Sequence, residues 1–116
     1  MIAIGLACII LTPLGFYIWP GGFRWTHPSP HPAYEHMIAA IYISLGICLI
    51  MAAKDPLKNA IIIDFTIISS ILHGGVMFYD SFAQEGEMMH LAGDVPMLLV
   101  LAVALIIYHP KRLAKR

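Results

Sequence analysis

Charge is what this chain lacks most: Lys, Arg, Asp and Glu together make up 12 % of its 116 residues, about half the share found in soluble domains. Apolar side chains reach 59 %, beyond the roughly 45–50 % such domains carry, so the expected solvent is a lipid bilayer. The seven basic residues are balanced by seven acidic ones, which leaves no basic surface of the kind a nucleic-acid partner demands. There is no internal repeat, no glycine-rich phosphate loop, no nucleophile elbow and no Cys-x-x-Cys pair, which excludes the commonest soluble-enzyme chemistries. The only cysteines are Cys8 and Cys48. Both fall in the cytoplasm-proximal half of the spans assigned below, where thiols stay reduced, so they are read as small buried hydrophobes and not as a disulfide.

What is present is a set of long apolar runs. A helix crossing roughly 30 Å of hydrocarbon needs about 20 apolar residues, and four stretches meet that need: 1–19, 34–53, 56–80 and 88–109. The expected fold is therefore all-α, a single domain forming an antiparallel bundle of four transmembrane helices. Pro20-Gly21-Gly22 ends the first. Lys54-Asp55-Pro56 ends the second and starts the third, with Asp55 as N-cap and Pro56 in the first turn. The apolar run from Val95 to Tyr108 covers only roughly 21 Å at helical rise, so the fourth helix is expected to start near Met88, with Pro96 as an internal kink. A cleaved signal peptide is a poor reading of the first segment, which has no basic residues ahead of it and no clear small-x-small site.

Lys54, Lys58, Lys111, Arg112, Lys115 and Arg116 fall on one side of this scheme and only Arg24 on the other. By the positive-inside rule both termini are cytoplasmic. The aromatic residues Phe16, Tyr17, Trp19, Phe23, Trp25, Tyr34, Phe78, Tyr79 and Phe82 then gather at the external interface, where amphipathic rings settle. In the external loop, His27-Pro28-Ser29-Pro30-His31-Pro32 reads as extended, polyproline-like chain whose two histidines are solvated.

Ionisable groups within spans are costly and point to function. In the third helix Thr66, Ser69, Ser70, His73, Met77 and Asp80 recur every three or four residues and form one polar stripe; its hydroxyls are expected to bond across helices or to their own turn. In the second, Glu35, Ala39, Tyr42, Gly46 and Leu49 share a face whose small residues invite a neighbouring backbone, with His36 off that face. In the fourth, His90 and Asp94 are stacked one turn apart above Met97 and Leu101. Antiparallel packing brings Glu35, His73, His90 and Asp94 together as candidate ligands for copper, iron, manganese or zinc, with Met77, Met88, Met89 and Met97 favouring Cu(I). Tyr42 and Asp80 complete a polar core. His73 and His90 could alternatively ligate a haem, or the set could bind a quinone headgroup; the plainer alternative is a hydrogen-bond network that fixes helix register. Asp64 is assigned a structural role near the cytoplasmic start of the third helix, paired with Lys54 or Lys111.

Trp19-Pro20-x-Gly22-Phe23-Arg24-Trp25, Tyr34-Glu35-x-Met37-Ile38, Ile41-Tyr42-x-x-Leu45-Gly46, Ala53-x-Asp55-Pro56, Ser69-Ser70-x-x-His73-Gly74 and His90-Leu91-x-Gly93-Asp94-Val95-Pro96 together resemble a family of small bacterial four-helix membrane proteins labelled only as a domain of unknown function. The resemblance implies a multi-pass protein of the bacterial inner membrane and supplies no activity. With no soluble domain and little loop surface, the leading expectation is an accessory or structural subunit packed against other integral membrane subunits and lipid, with no independent catalysis. The alternative is a metal-, haem- or quinone-binding redox protein using the external cluster. A carrier or proton path through Asp64 and Asp94 is a third reading, unsupported by any inverted repeat.

Overall fold

The computed structural model describes residues 1–26 and 32–114, and every regular element among them is helical. His27 and His31, read above as solvated, and Lys115 and Arg116, counted above with the cytoplasmic charge, lie outside the described residues. Helix α1 spans Ile2–Ile18, α2 is a single turn at Pro20–Phe23, α3 spans Pro32–Ala52 and α4 spans Ala60–Ala83. A 3-10 turn at Met88–Leu91 leads into α5, Asp94–Ile107, and α6 is a final turn at Pro110–Leu113. The segments 33–52, 60–83 and 88–113 are long and apolar enough to cross a membrane, and α1 is a shorter apolar helix. Large apolar side chains such as Ile61, Phe65, Leu72 and Val100 face outwards, which suits a multi-pass membrane protein. The 46 Å long axis exceeds the roughly 30 Å thickness of bilayer hydrocarbon.

Local chemistry sets the boundaries. Pro20 cannot extend α1 but fits the first turn of α2, where its missing N–H costs nothing. The third long helix starts at Ala60 and not at Pro56. The Asp55 carboxylate accepts the Lys58 N–H at 3.3 Å and its carbonyl accepts from the Asn59 side chain at 2.8 Å, so residues 55–59 close a turn of their own first. Gly86, with φ of 88°, then reverses the chain in a conformation other residues resist. The fourth apolar segment is not one helix kinked at Pro96. It is interrupted at Ala92–Gly93, and Pro96 falls in the first turn of α5, where no intrahelical N–H is needed. The interruption coincides with a backbone contact: a Cβ on Gly93 would overlap the Gly22 carbonyl of α2.

Helices α1 and α3 pack antiparallel through Gly5 and Gly46; a Cβ on Gly5 would lie 2.6 Å from the Gly46 carbonyl oxygen, and one on Gly46 2.5 Å from that of Gly5. Gly46 sits on the small-residue face expected of this helix, and Gly5 supplies the matching half. Helices α4 and α5 form the second antiparallel pair, with Ile63, Thr66 and Ser70 buried on one side and Leu98, Ala102 and Leu105 on the other. The hydroxyls of Thr66, Ser69 and Ser81 donate to carbonyls of their own helix, which answers their polarity without a ligand. Between the pairs, α3 and α4 share far less contact. Cys8 is buried as expected, whereas Cys48 faces outwards, and both are free thiols.

Candidate functional site

The site forms where the end of α1 turns through α2 towards the start of α5. Seated against the 3-10 turn by the Gly22–Gly93 contact, the segment following α2 lays Trp25 over His90, with ring centroids 4.0 Å apart and planes 19° from parallel. The Trp25 indole N–H donates to Asp94 Oδ2 at 3.2 Å. The Thr26 backbone N–H and hydroxyl donate to Glu87 Oε1 at 2.8 and 2.6 Å. His90, fully buried, lies between two carboxylates: Nδ1 is 2.9 Å from Asp94 Oδ1 and Nε2 is 3.0 Å from Glu87 Oε2. Both contacts are hydrogen bonds at once only when the ring carries two protons or one of the carboxyls carries one. Glu87 and Asp94 are themselves 2 % and 6 % exposed, so three ionisable groups are withdrawn from solvent and satisfied by one another and by the Trp25-Thr26 strap.

Beside this triad, between the two helix pairs, lies a partly enclosed cavity of about 450 Å³. Its aromatic wall is made by Phe16, Phe23, Trp25 and Tyr34, and Met77, Met97 and Leu98 close the opposite side. Polar groups reach it from four helices: Thr12 from α1, Glu35 and Tyr42 from α3, His73 and Asp80 from α4, and Asp94 from α5. The Tyr42 hydroxyl is 3.0 Å from His73 Nδ1, which ties α3 to α4 where they otherwise touch little. Glu35 Oε2 lies 3.3 Å from Arg24 Nε, within ion-pair range although without the alignment of a hydrogen bond. The Arg24 guanidinium sits 5.9 Å from the centre of the Tyr17 ring. Thr12 is 4 % exposed and its hydroxyl finds no partner among the described residues.

Five of the six singled-out residues, Glu35, Tyr42, His73, Asp80 and Asp94, therefore line one cavity. His73 faces the bundle with Tyr42 as its partner, as the helical faces imply. His36 is exposed, off the working face. His90 stands behind Asp94 and does not line the cavity. The metal candidates Glu35, His73, His90 and Asp94 do not converge: no group of three or more His, Cys, Asp or Glu suited to a metal ion occurs among the described residues. The physical reason is that the two His90 nitrogens point to opposite sides, each towards its own carboxylate, with an indole over the ring. Of the expected aromatic belt, Tyr17, Tyr34, Phe78, Tyr79 and Phe82 are exposed, while Phe16, Phe23 and Trp25 turn inwards to the cavity.

Sequence reasoning missed Glu87, Trp25 and Thr12. Glu87 was legible, because Glu87, His90 and Asp94 fall at i, i+3 and i+7 on one face. Trp25 and Thr12 carry no such signal, since both are positioned by tertiary contacts. At the opposite end of the molecule, Asp64 accepts from Lys111 Nζ at 3.1 Å, and its other oxygen lies 2.9 Å from His109 Nε2. Because His109 Nδ1 accepts the Lys111 backbone N–H at 3.2 Å, the proton resides on Nε2 and is donated to Asp64. This cluster staples α6 to the start of α4, as the structural assignment of Asp64 implies, with His109 as an added partner. Compared with known proteins, the chain matches the model of a family of unknown function, DUF6632, over residues 1–112. No curated protein and no solved structure matches it.

Proposed function

We propose that this chain, which belongs to the family of unknown function DUF6632, is a four-span membrane protein that holds a small amphipathic molecule in the cavity between its two helix pairs. The observation that carries this reading is the make-up of that cavity: mostly apolar and aromatic walls, a few convergent polar groups, and a volume of about 450 Å³ within the range of ligand pockets. Exposed Tyr34 and Val76 stand at its rim on α3 and α4, which gives a lateral opening towards the surrounding lipid. A quinone headgroup is one neutral class that the Tyr42–His73 pair could hold by hydrogen bonds. The placement we propose is the bacterial cytoplasmic membrane with both termini inside, supported by the concentration of Lys and Arg beyond the ends of α3 and α5.

Native mass spectrometry of protein released gently from its host membrane tests the reading. We expect a stoichiometric small-molecule adduct that is diminished in Thr12→Phe, where the larger ring takes up part of the cavity. No adduct, or one that is unchanged in Thr12→Phe, refutes it.

A second reading, an accessory or structural subunit packed against a larger integral membrane protein, is favoured by a different observation. An apolar groove of about 510 Å³ runs between α3 and α4, lined by Ile41, Leu45, Cys48, Ile62 and Phe65. Such a subunit has lipid on its remaining faces and needs no catalysis of its own. Purification in mild detergent decides the matter: a chain that always runs alone or as a homo-oligomer sinks this reading.

A further inference from the structure

The cavity's charge is unbalanced. Among its described lining residues are three carboxylates, Glu35, Asp80 and Asp94, and no Lys or Arg. Two of the three are answered: Glu35 by Arg24 from outside the cavity, and Asp94 by His90 and the Trp25 indole. Asp80 is half-buried and has neither an ion pair nor a side-chain hydrogen bond among the described residues. A carboxylate in a mostly apolar, partly desolvated wall is costly without a positive partner. The rings of Phe16, Phe23, Trp25 and Tyr34 stand around the same space, and aromatic faces attract cations.

Resting on the ligand-binding reading above, we propose that the molecule held in the cavity is a hydrophobic amine in its ammonium form. Asp80 is its counter-ion, and the aromatic wall covers its apolar body. An anion is disfavoured by all three carboxylates. A neutral molecule would leave Asp80 unanswered.

The test uses the full chain in phosphatidylcholine nanodiscs, whose zwitterionic lipid does not itself concentrate cations, titrated calorimetrically with 2-naphthylethylamine and with its neutral counterpart 2-naphthylethanol. Protein-free nanodiscs correct for partitioning, and circular dichroism checks the helix content of each variant. The expected result is saturable binding of the amine near one per chain, about 10-fold or more tighter than the alcohol. Asp80→Asn is expected to lose that preference and Asp80→Glu to retain it. Equal binding of amine and alcohol, or an amine preference indifferent to Asp80→Asn, overturns the assignment. If that binding is still weakened by Thr12→Phe, the cavity reading stands without it. If neither compound saturates, or if both bind Thr12→Phe as tightly as the unaltered chain, the cavity reading falls as well. Should Asp80→Asn fail to fold, the amine-to-alcohol ratio on the unaltered chain decides alone.

Discussion

Replacing His90 by Leu removes the hub of the buried triad while keeping an apolar side chain of similar reach beneath the Trp25 ring. Glu87 and Asp94, 2 % and 6 % exposed, then each lose the partner that faces them at 3.0 and 2.9 Å. A hydrogen bond to a charged group contributes about 1.5–3 kcal/mol, and the lost ring stacking adds about 0.5–1.5 kcal/mol. Thr26 still donates to Glu87 and Trp25 to Asp94, and a buried carboxyl deprived of its partner can take up a proton, so the full sum is not realised. The net cost is expected at about 3–5 kcal/mol, in line with breaking a buried ion pair from one side and a large part of a typical total stability of about 5–15 kcal/mol. Unfolding in detergent followed by circular dichroism measures the loss. Trp25 emission in a Trp19→Phe background reports whether the strap has detached, because those are the only two tryptophans. Combining His90→Leu with Glu87→Leu is expected to cost less than the sum of the two single changes, since both remove the same His90–Glu87 contact. A loss below about 1 kcal/mol with unchanged Trp25 emission would refute the view that the triad holds the strap in place.

Gly93→Ala is expected to destabilise by about 1–3 kcal/mol through overpacking against the Gly22 backbone, whereas Gly75→Ala, which meets nothing within 4 Å, is expected to stabilise α4 by about 0.5–1 kcal/mol; thermal unfolding of the pair reads the contrast. His73→Leu leaves the Tyr42 hydroxyl without its partner and is expected to cost about 1–3 kcal/mol, with Tyr42→Phe/His73→Leu partly restoring stability in a double-mutant cycle. Asp64→Asn, acting on a half-exposed ion pair with Lys111, is expected to change stability by less than about 1 kcal/mol and to lose even that effect in high salt, as salt titrations of the unfolding midpoint will show.

The sequence by itself determined what depends on one helix at a time. Apolar run length specified the long helices, Pro20-Gly21-Gly22 marked the end of the first, and helical spacing placed Tyr42 and His73 on faces that do meet. It also placed Glu35, Asp80 and Asp94 around a common space. Tertiary structure decided everything that required knowing how one helix stands against another. Spacing put His90 among the cavity residues, yet it lies behind Asp94, because the Gly22–Gly93 contact accompanies a break in the fourth apolar segment and the preceding turn is 3-10, which rotates His90 relative to α5. Trp25 and Thr12 became site residues only through the strap and through the pairing of α1 with α3. The physical reason is that periodicity gives the angle of a side chain about its own axis, whereas a site also needs the position of each axis relative to its neighbours. Here that position is governed by backbone contacts at Gly5, Gly22, Gly46 and Gly93, residues with no side chain from which to read the partner.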